Sequence, residues 1–332
     1  KYIYEPFIRQ SAGLGKAPTV KDTSDYEHFY AFYDLVIIGG GISGLNAALT
    51  AAESGLKILI MEQNSEWGGR CLVDFPFVNE EPGLKYISRI LSELRKYKNV
   101  TMRSRMMGAG VYDHGYLLGY ERLNDHLSTN EGPRHRLWRI RAKQIITATG
   151  AIERPLSFPG NDIPGIMLAS AVRDYATNFG VAVGDKVAIF TNNDDAYRTA
   201  ITLHEIGVTV PVIIDARSGG GGELAHHAKE LGIRVENGKA ILKVFGQKRV
   251  KAVTICDYEK SGANKEKIEC DSIAMSGGWS PVVHLFSHCG GKLKWDEDLA
   301  LFRPDKSAKP TSSDGLPFVT AVGSANGFLL MN

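Results

Sequence analysis

The stretch Asp34-Leu-Val-Ile-Ile-Gly-Gly-Gly-Ile-Ser-Gly44 decides the fold of this chain. Its first five residues form a largely apolar, β-branched run, which is typical of a parallel strand buried on both faces. The glycines that follow at once have the spacing Gly39-x-Gly41-x-x-Gly44. An Ala- and Leu-rich stretch, Leu45 to Ser54, then predicts a helix that ends at Gly55.

A second apolar run, Lys57-Ile-Leu-Ile-Met61, predicts another buried strand, which Glu62 closes. Together these segments make one strand–helix–strand unit. In such a unit the first glycine forms a tight turn, the second admits a pyrophosphate and the third packs the helix on the strand. The helix N-terminus favours phosphate, and Glu62 suits an adenosine ribose. The pattern predicts a bound dinucleotide; the alternative is a glycine-rich turn without a ligand.

A second cycle of the same kind begins near Lys186, but its turn is different. After Phe190 the chain reads Thr191-Asn-Asn-Asp-Asp-Ala196, without either turn glycine. Asp194 and Asp195 would stand at the helix N-terminus and repel a pyrophosphate. We therefore expect this unit to keep the fold and to bind no nucleotide. The predicted elements are a strand at Val187–Phe190, a helix at Asp195–Ile206, a strand at Val208–Ile214 and a helix at Glu223–Leu231.

The remaining segments complete an α/β protein with two Rossmann-like dinucleotide-binding-type domains, the second inserted into the first as in glutathione-reductase-like proteins. The predicted domains are a lead segment 1–33, a split first domain 34–160 plus 271–332, and a degenerate second domain 161–270. A helix is predicted over 82–98, with Leu84, Ile87, Leu91 and Leu94 on one face. A small antiparallel excursion is predicted at Thr101–Arg105, Gly110–Asp113, Gly115–Tyr120 and Leu137–Arg141. Further strands are predicted at Gln144–Gly150, Ser272–Ser276 and Phe318–Gly323, with a ribbon over 239–270.

Composition excludes several classes of protein. Of the 332 residues 43% are hydrophobic, which argues against a disordered chain, and 39 basic against 37 acidic residues indicate no nucleic-acid binding by charge. No apolar run reaches the length of a membrane span. The four cysteines are scattered and lack a C-x-x-C pair, so we expect a reducing, cytoplasmic setting and a packed thiol at Cys71.

Candidate metal and catalytic groups are few. His284 and His288 have a spacing that can hold zinc, with Cys289 beside them, but an ordinary helix surface is the favoured interpretation because no further ligand is nearby. We predict no metal site and no catalytic residue. The predicted cofactor-binding residues are Gly39, Gly41, Ser43, Gly44, Glu62, Gln63, Gly69, Arg70, Thr149, Gly150, Gly323 and Ser324.

Four segments are more specific than the glycine pattern. They are Tyr4-Glu-Pro-Phe-Ile-Arg-Gln-Ser-Ala-Gly-Leu-Gly15, Thr149-Gly-Ala-Ile-Glu-Arg-Pro155, Pro159-Gly-Asn-Asp-Ile-Pro-Gly165 and Ser276-Gly-Gly-Trp-Ser-Pro281. With these segments the chain resembles the α subunits of heterotetrameric sarcosine oxidases over essentially its whole length. The resemblance implies that the chain, from Lys1 to Asn332, is a piece of a longer one, followed in the family by a folate-binding domain.

The resemblance also implies cofactors and partners. It implies NAD in the first domain, a substrate-oxidising FAD on a β subunit, and an FMN shared at the interface with that subunit. It further implies smaller subunits, no nucleic acid and no membrane. The chain would then be a scaffold that holds a cofactor and has no complete active site of its own.

One departure from flavin-binding relatives favours NAD over FAD. In those relatives an Asp usually follows the last glycine, whereas here Ser324 follows Gly323. A pyrophosphate would still rest on Gly323 and on a helix beginning near Phe328. Two alternatives stay open: a self-sufficient flavoprotein with FAD at Gly39–Gly44 and a reduced pyridine nucleotide in the second domain, and a non-catalytic scaffold with an empty site.

Overall fold

The computed structural model describes residues 4–15, 18–74, 77–78, 80–128, 131–259 and 262–329. The first part of the chain comprises α1 (Tyr4–Ser11), β1 (Asp25–Ile38), α2 (Ile42–Ala52), β2 (Ile58–Met61), α3 (Cys71–Asp74), β3 (Phe77–Val78), β4 (Glu81–Pro82), α4 (Gly83–Leu94), β5 (Val100–Arg103), β6 (Met106–Tyr112), β7 (Tyr116–Arg122), β8 (Pro133–Thr147) and β9 (Ala151–Glu153). The middle comprises β10 (Ile166–Leu168), α5 (Ala169–Phe179), β11 (Val187–Thr191), α6 (Asp195–Glu205), β12 (Ile213–Asp215), α7 (Gly222–Glu230), β13 (Val235–Asn237), β14 (Lys239–Gly246), β15 (Val250–Asp257), β16 (Glu266–Glu269) and β17 (Ser272–Ser276). The last part comprises β18 (Trp279–Pro281), α8 (His284–His288), β19 (Leu293–Asp296), β20 (Leu301–Pro304) and β21 (Val319–Ala321), with single 3₁₀ turns at Asp113–Gly115 and Gly323–Asn326.

The first sheet brings four strand ends to one edge. Within the described residues its order is β5-β2-β1-β8-β7-β6, and β21 also pairs with β8. Parallel pairing places Ile38 beside Met61 on one side and beside Thr147 on the other, while Ala321 pairs with Thr147. The turns that follow β1, β2, β8 and β21 therefore open at the same edge, where ligands of such sheets bind.

The second sheet is parallel, with the order β10-β17-β11-β12-β13 in the part of the chain that is described. Helices α5, α6 and α7 cover one face, and the antiparallel ribbon β14-β15-β16 packs its apolar residues on the other. The chain leaves the first domain through β9 and returns through β18, and these two strands pair with each other. The predicted α/β fold, with a second Rossmann-like domain inserted into the first, is thus confirmed.

Burial explains why the fold-deciding stretch forms a central strand. Leu35 and Ile37 belong to the core under α2 and α4, whereas Val36 and Ile38 belong to the core on the opposite face. Each of the four side chains is at most 7% exposed. Burial on both faces accounts for a continuous apolar run without alternation.

Several predicted element boundaries were wrong because the pairing partners lie far away in the sequence. Strand β1 begins at Asp25, inside the predicted lead segment, since its outer half pairs with β8 from Pro133 onward. The segments 137–141 and 144–147 form one strand, whose two halves pair with β7 and with β21. The segment 101–105, predicted in the antiparallel excursion, contributes instead to β5, a parallel edge strand on β2.

Other corrections concern helices and the second sheet. Leu84, predicted on the buried face of α4, is 68% exposed, and Tyr86 and Ile90 are buried instead. Ser272–Ser276, predicted in the first domain, pairs with β10 and β11 and belongs to the second sheet. The strand predicted over 208–214 is confined to Ile213–Asp215. In place of a helix near Phe328 there is a 3₁₀ turn at 323–326; the predicted end at 330–332 and the lead residues 1–3 lie outside the described residues.

Among the described residues, no helix combines the length and the apolar character that crossing a membrane requires.

Candidate dinucleotide site

Two glycines of the turn are required by backbone packing. Gly39 has a φ of +113°, and a Cβ atom there would collide with the carbonyl oxygen of Ala148 at the end of β8. A Cβ atom on Gly44 would collide with the carbonyl oxygen of Gly39. The turn after β1, the first turn of α2 and the end of β8 thus approach each other so closely that no side chain fits between them.

The second glycine of the turn faces open space. The nearest heavy atom to a Cβ on Gly41 is the Cα of Gly69, at 4.0 Å. Gly41 is also the N-cap of α2, and no described side chain caps this helix end. Since the first N–H groups of a helix have no partner within it, the turn presents free donors beside a surface without side chains. This arrangement is what binding a pyrophosphate needs.

Glu62 is fixed beside this turn at the end of β2. Its carboxylate is 5% exposed and accepts hydrogen bonds from the N–H groups of Gly40 and Asn64, each at 2.8 Å. Each carboxylate oxygen has a second lone pair, so both remain able to accept a hydroxyl. The neighbouring Gln63 is exposed, and its carbonyl oxygen accepts a hydrogen bond from Arg122 at 2.9 Å.

The strand ends opposite the turn carry four more of the predicted residues. Thr149 donates its hydroxyl hydrogen to the carbonyl oxygen of Val282 at 2.7 Å, which ties the end of β8 to the return strand. Gly150 has a φ of +73° and nothing within 4 Å of a Cβ position. A Cβ on Gly323 would collide with the Ser43 side chain, so the turn after β21 lies directly on α2. Ser324 continues this turn in the 3₁₀ segment.

Arg70, predicted among the cofactor-binding residues, is held by carboxylates. Its Nε and Nη2 atoms donate to Asp74 at 2.7 and 2.5 Å, and Nη1 donates to Asp174 at 2.7 Å. The guanidinium also lies 5.7 Å from the centre of the Trp279 ring. All three nitrogens are thus engaged by carboxylates, so a phosphate contact would require Arg70 to leave them.

An open cavity of about 340 Å³ lies beside Trp67 and the edge strand β5. It is linked to the glycine turn through Trp67, whose ring occupies the space where a Cβ on Gly40 would stand, 2.5 Å away. Its lining residues are Trp67, Arg95, Val100, Met102 and Ser104.

The corresponding turn of the second domain is filled by its own side chains. Asp194 accepts hydrogen bonds from the N–H of Gly221 at 2.9 Å and pairs with Arg217 at 2.7 Å. Asp215, which ends β12 where a ribose carboxylate would stand, is fully buried and accepts from Tyr197 at 2.8 Å and from Arg217 at 2.7 Å. Burial and the Asp215 carboxylate raise the pKa of Tyr197, so its hydroxyl remains a donor.

The cysteines and histidines have structural surroundings. The four cysteines, all within the described residues, are buried and form no disulfide. Burial raises the pKa of the Cys270 thiol to about 12 and that of Cys289 to about 11, and burial together with Asp74 raises the pKa of Cys71. The ring of His288 packs 4.7 Å from that of Tyr112. The part of the chain that is described shows no group of three metal-binding side chains.

Sequence reasoning missed the buried charges between the two domains. Arg173 is fully buried and Asp74 is 6% exposed, and the two form an ion pair at 2.7 Å. They are 99 residues apart, and neither stands in a motif with a chemical signature. The one sequence feature that points to this cluster is Asp195, which is predicted to repel phosphate. It also pairs with Arg173, at 3.0 Å.

Comparison with known proteins agrees with this geometry. A family model described as pyridine nucleotide-disulphide oxidoreductase matches residues 33–302. Sarcosine oxidase subunit alpha of Rhizobium meliloti (strain 1021) is 38% identical over 309 residues, which cover 92% of this chain and 30% of that protein. The chain therefore spans less than a third of that relative's length, and the resemblance drawn from the four sequence segments is confirmed.

Two solved structures show the same fold. L-proline dehydrogenase from P. horikoshii superposes with a TM-score of 0.66 at 21% identity, over 93% of this chain and 54% of that one. T. acidophilum thioredoxin reductase also gives a TM-score of 0.66, at 19% identity, over 91% of this chain and 92% of that one. At such identities these matches bear on the fold alone. Because the family model covers most of its length, the chain belongs to the pyridine nucleotide-disulphide oxidoreductase family.

Proposed function

We propose that the chain holds a dinucleotide across Gly39–Gly44. The observation that carries this proposal is the contrast between the turn glycines. A side chain on Gly39 or Gly44 would strike backbone, whereas a Cβ on Gly41 would meet only the Cα of Gly69, at 4.0 Å. A turn that excludes side chains where its own packing does not require it is built for a ligand that approaches the backbone closely.

Within this proposal the ligand is NAD, with FAD as the alternative. Glu62 would accept the hydroxyls of the adenosine ribose, and its buried carboxylate disfavours a 2′-phosphate there. Ser43, Gly69, Gly150 and Gly323 would line the phosphates and the far half of the ligand. Ser324 supplies no carboxylate for the ribityl chain of a flavin, which favours NAD.

We further propose that the chain is the dinucleotide-binding region of the α-type subunit of an amine-oxidising complex. The relative named above is a sarcosine oxidase subunit, so partner subunits and oxidation of a secondary amine such as sarcosine follow by similarity. An FMN at an interface with a β subunit, smaller subunits and a cytoplasmic location belong to the same proposal. The raised pKa values of the buried thiols argue against disulfide chemistry in this chain.

An aromatic and basic face offers a surface for a partner subunit. On β1, Tyr30 and Phe32 are 71% and 49% exposed, and they pair in register with Arg139 and Arg141 of β8. The Arg139 guanidinium donates to the Tyr30 hydroxyl, and no described carboxylate pairs with Arg139 or Arg141. Exposed rings interleaved with unneutralised arginines suit a partner with acidic residues.

The test is the nucleotide content of the purified chain and of its Gly41→Val variant. We expect ultraviolet absorbance of NAD without the visible bands of a flavin in the unaltered chain, and loss of the nucleotide in Gly41→Val. The nearest atom to the new Cβ is 4.0 Å away, so the apo fold should accept the change.

The control is Gly219→Val, which adds the same side chain where nothing lies within 4 Å. It should keep both fold and nucleotide. Nucleotide retained in a folded Gly41→Val protein would refute the proposed site. Visible flavin bands in the unaltered chain would show that the ligand is FAD and not NAD.

A further inference from the structure

The loop opposite the glycine turn is tied to it by the backbone. The N–H of Gly68 donates to the carbonyl oxygen of Gly40 at 2.8 Å, and Gly41 and Gly68 form an isolated parallel bridge. Gly69, next in the chain, faces Gly41. A Cβ on Gly69 would stand 3.0 Å from the Cα of Gly41, so the loop packs directly on the glycine turn and borders the surface on which the dinucleotide would lie.

Helix α3 follows this loop directly and is its anchor. The helix is a single turn, and the Asp74 N–H donates to the Arg70 carbonyl oxygen at 2.8 Å. The Arg70 guanidinium donates two hydrogen bonds to the Asp74 carboxylate. So short a helix has little stability of its own. Its position depends on what holds the side chains of Arg70 and Asp74.

The second domain holds both of these side chains through two successive residues of α5. Arg173 donates from Nε and Nη2 to Asp74 Oδ1 at 3.0 and 2.7 Å, and Asp174 accepts from Arg70 at 2.7 Å. Burial acts to raise the pKa of Asp74, but the hydrogen bonds from Arg70 and the charge of Arg173 outweigh it and lower the pKa. The carboxylate is thus ionised at neutral pH and binds both arginines.

Asp195 of the degenerate turn completes the network. Arg173 is fully buried, and it shares Asp74 with Arg70, so it needs a second carboxylate nearby. Asp195 supplies it at 3.0 Å and also contacts Arg198 at 3.5 Å. Asp195 stands in the first turn of α6, where the helix dipole stabilises a negative charge. The residue that would repel a phosphate in the second domain therefore neutralises Arg173.

We infer that the second domain, through Asp195 of its degenerate turn and through Arg173 and Asp174 of α5, positions the Gly68–Gly69 loop of the first domain for dinucleotide binding. The inference rests on the proposed function. It assigns Arg70 as a positioning residue rather than a phosphate ligand. It also gives the second domain a role in the site without a nucleotide of its own.

The test compares Asp195→Asn and Asp174→Asn with the unaltered chain. Neither residue belongs to the first domain, yet each variant should raise the Kd for NAD about two- to fivefold, the size expected for losing one partly exposed ion pair. Amide hydrogen exchange of residues 68–74 should become faster in the apo variants, while exchange in the β11 and β17 strands stays unchanged. Asp174→Glu, which keeps the carboxylate, should retain most of the affinity.

The matched control is Glu236→Gln. It removes a carboxylate that pairs with Arg234 at 2.8 Å inside the second domain, away from α3. It should change neither the Kd nor the exchange of residues 68–74. Unchanged exchange and Kd in the Asp195 and Asp174 variants would overturn the inference while leaving the proposed site intact. If the unaltered chain bound neither NAD nor FAD, the proposed function would fall, and the exchange measurement would still decide whether the second domain holds the loop.

Discussion

At the residue scale, Glu153 is a buried acid on the path between the two domains. It ends β9 and is 7% exposed. Its Oε2 atom accepts from the N–H of Ser170 at 2.8 Å, while Oε1 has no hydrogen-bond partner. Burial raises the pKa of Glu153 despite the hydrogen bond from Ser170, and the charge of Asp195 adds to the rise. The fold therefore favours the neutral acid.

Glu153→Gln should stabilise the chain at neutral and alkaline pH. A raised folded-state pKa means that the stability from the protonated acid is full below the unfolded value of 4.5 and is lost as pH rises through the folded pKa. The glutamine keeps the acceptor for Ser170 and carries no charge, so at about pH 8 it should gain on the order of 1 kcal/mol of unfolding free energy. Thermal unfolding midpoints at about pH 4 and pH 8 measure this difference. The prediction would be contradicted if, at the higher pH, the Glu153→Gln midpoint were equal to or below that of the unaltered chain. The same gain in exposed Glu269→Gln would also contradict it.

The sequence indicated residues whose contacts lie within one strand–helix–strand unit. It missed contacts between residues that are far apart in the sequence. Glu62 follows directly from its place at the end of the second strand of the unit, and its contacts lie 2 and 22 residues away. Arg70 was predicted among the cofactor-binding residues, but its partner Asp174 is 104 residues away. Spacing along the chain carries no information on such a contact, because only the docking of the two domains creates it.

At the element scale, the turn after β1 and the turn after β11 differ in what stands at the N-terminus of the following helix. The first turn leaves its helix N-terminus uncapped and faces a space free of side chains. The second turn places Asp194 against Gly221 and Arg217, so a carboxylate already occupies the N-terminal region of α6 and α7. Asp215 has hydrogen bonds to Tyr197 and Arg217 and is fully buried. The carboxylates of Asp194 and Asp215 are therefore already paired at the places where a phosphate and a ribose would bind.

We therefore predict one dinucleotide per chain. Calorimetric titration with NAD, NADH and NADPH of chain freed of its nucleotide should show a single site at most, and Gly41→Val should show none. The ion pairs of Asp194 and Asp195 would have to break before a phosphate could enter the second turn. Two saturable sites in the unaltered chain, or one site remaining in Gly41→Val, would show that the second turn opens.

The sequence predicted strands correctly where burial on both faces produces a continuous apolar run. It failed where a segment is a strand because a strand distant in the sequence pairs with it. Strands β1 near Ile38, β2, β11 and β17 are buried on both faces and were recognised as apolar runs. The outer half of β1 alternates aromatic and polar residues, and it is a strand because β8 lies beside it. Likewise Ser272–Ser276 was predicted to be a strand but was assigned to the wrong sheet, since a continuous apolar run does not indicate which strands pair with it.

At the scale of the whole molecule, the aromatic residues near the start of the chain have two environments. Tyr33 is buried in the first core, and Phe29 packs at 5.2 Å from the Trp138 ring. Tyr30 and Phe32 stay exposed on the opposite face of β1. The rings thus cover part of the first domain and also form the face that we propose for a partner subunit. Such a face on an isolated chain favours association in solution.

The chain by itself should oxidise neither sarcosine nor another secondary amine. Burial raises the pKa of the Cys71, Cys270 and Cys289 thiols, and Glu153, whose pKa burial also raises, lies buried between the domains and lacks a hydrogen-bond partner for Oε1. In the proposed function, the flavin that oxidises the amine belongs to a partner subunit. Purified chain supplied with sarcosine, FAD, FMN and an electron acceptor should therefore show no turnover above that of a Gly41→Val control. Sustained turnover that Gly41→Val abolishes would mean that a flavin at the glycine turn does the chemistry, and the chain would then be a self-sufficient flavoenzyme.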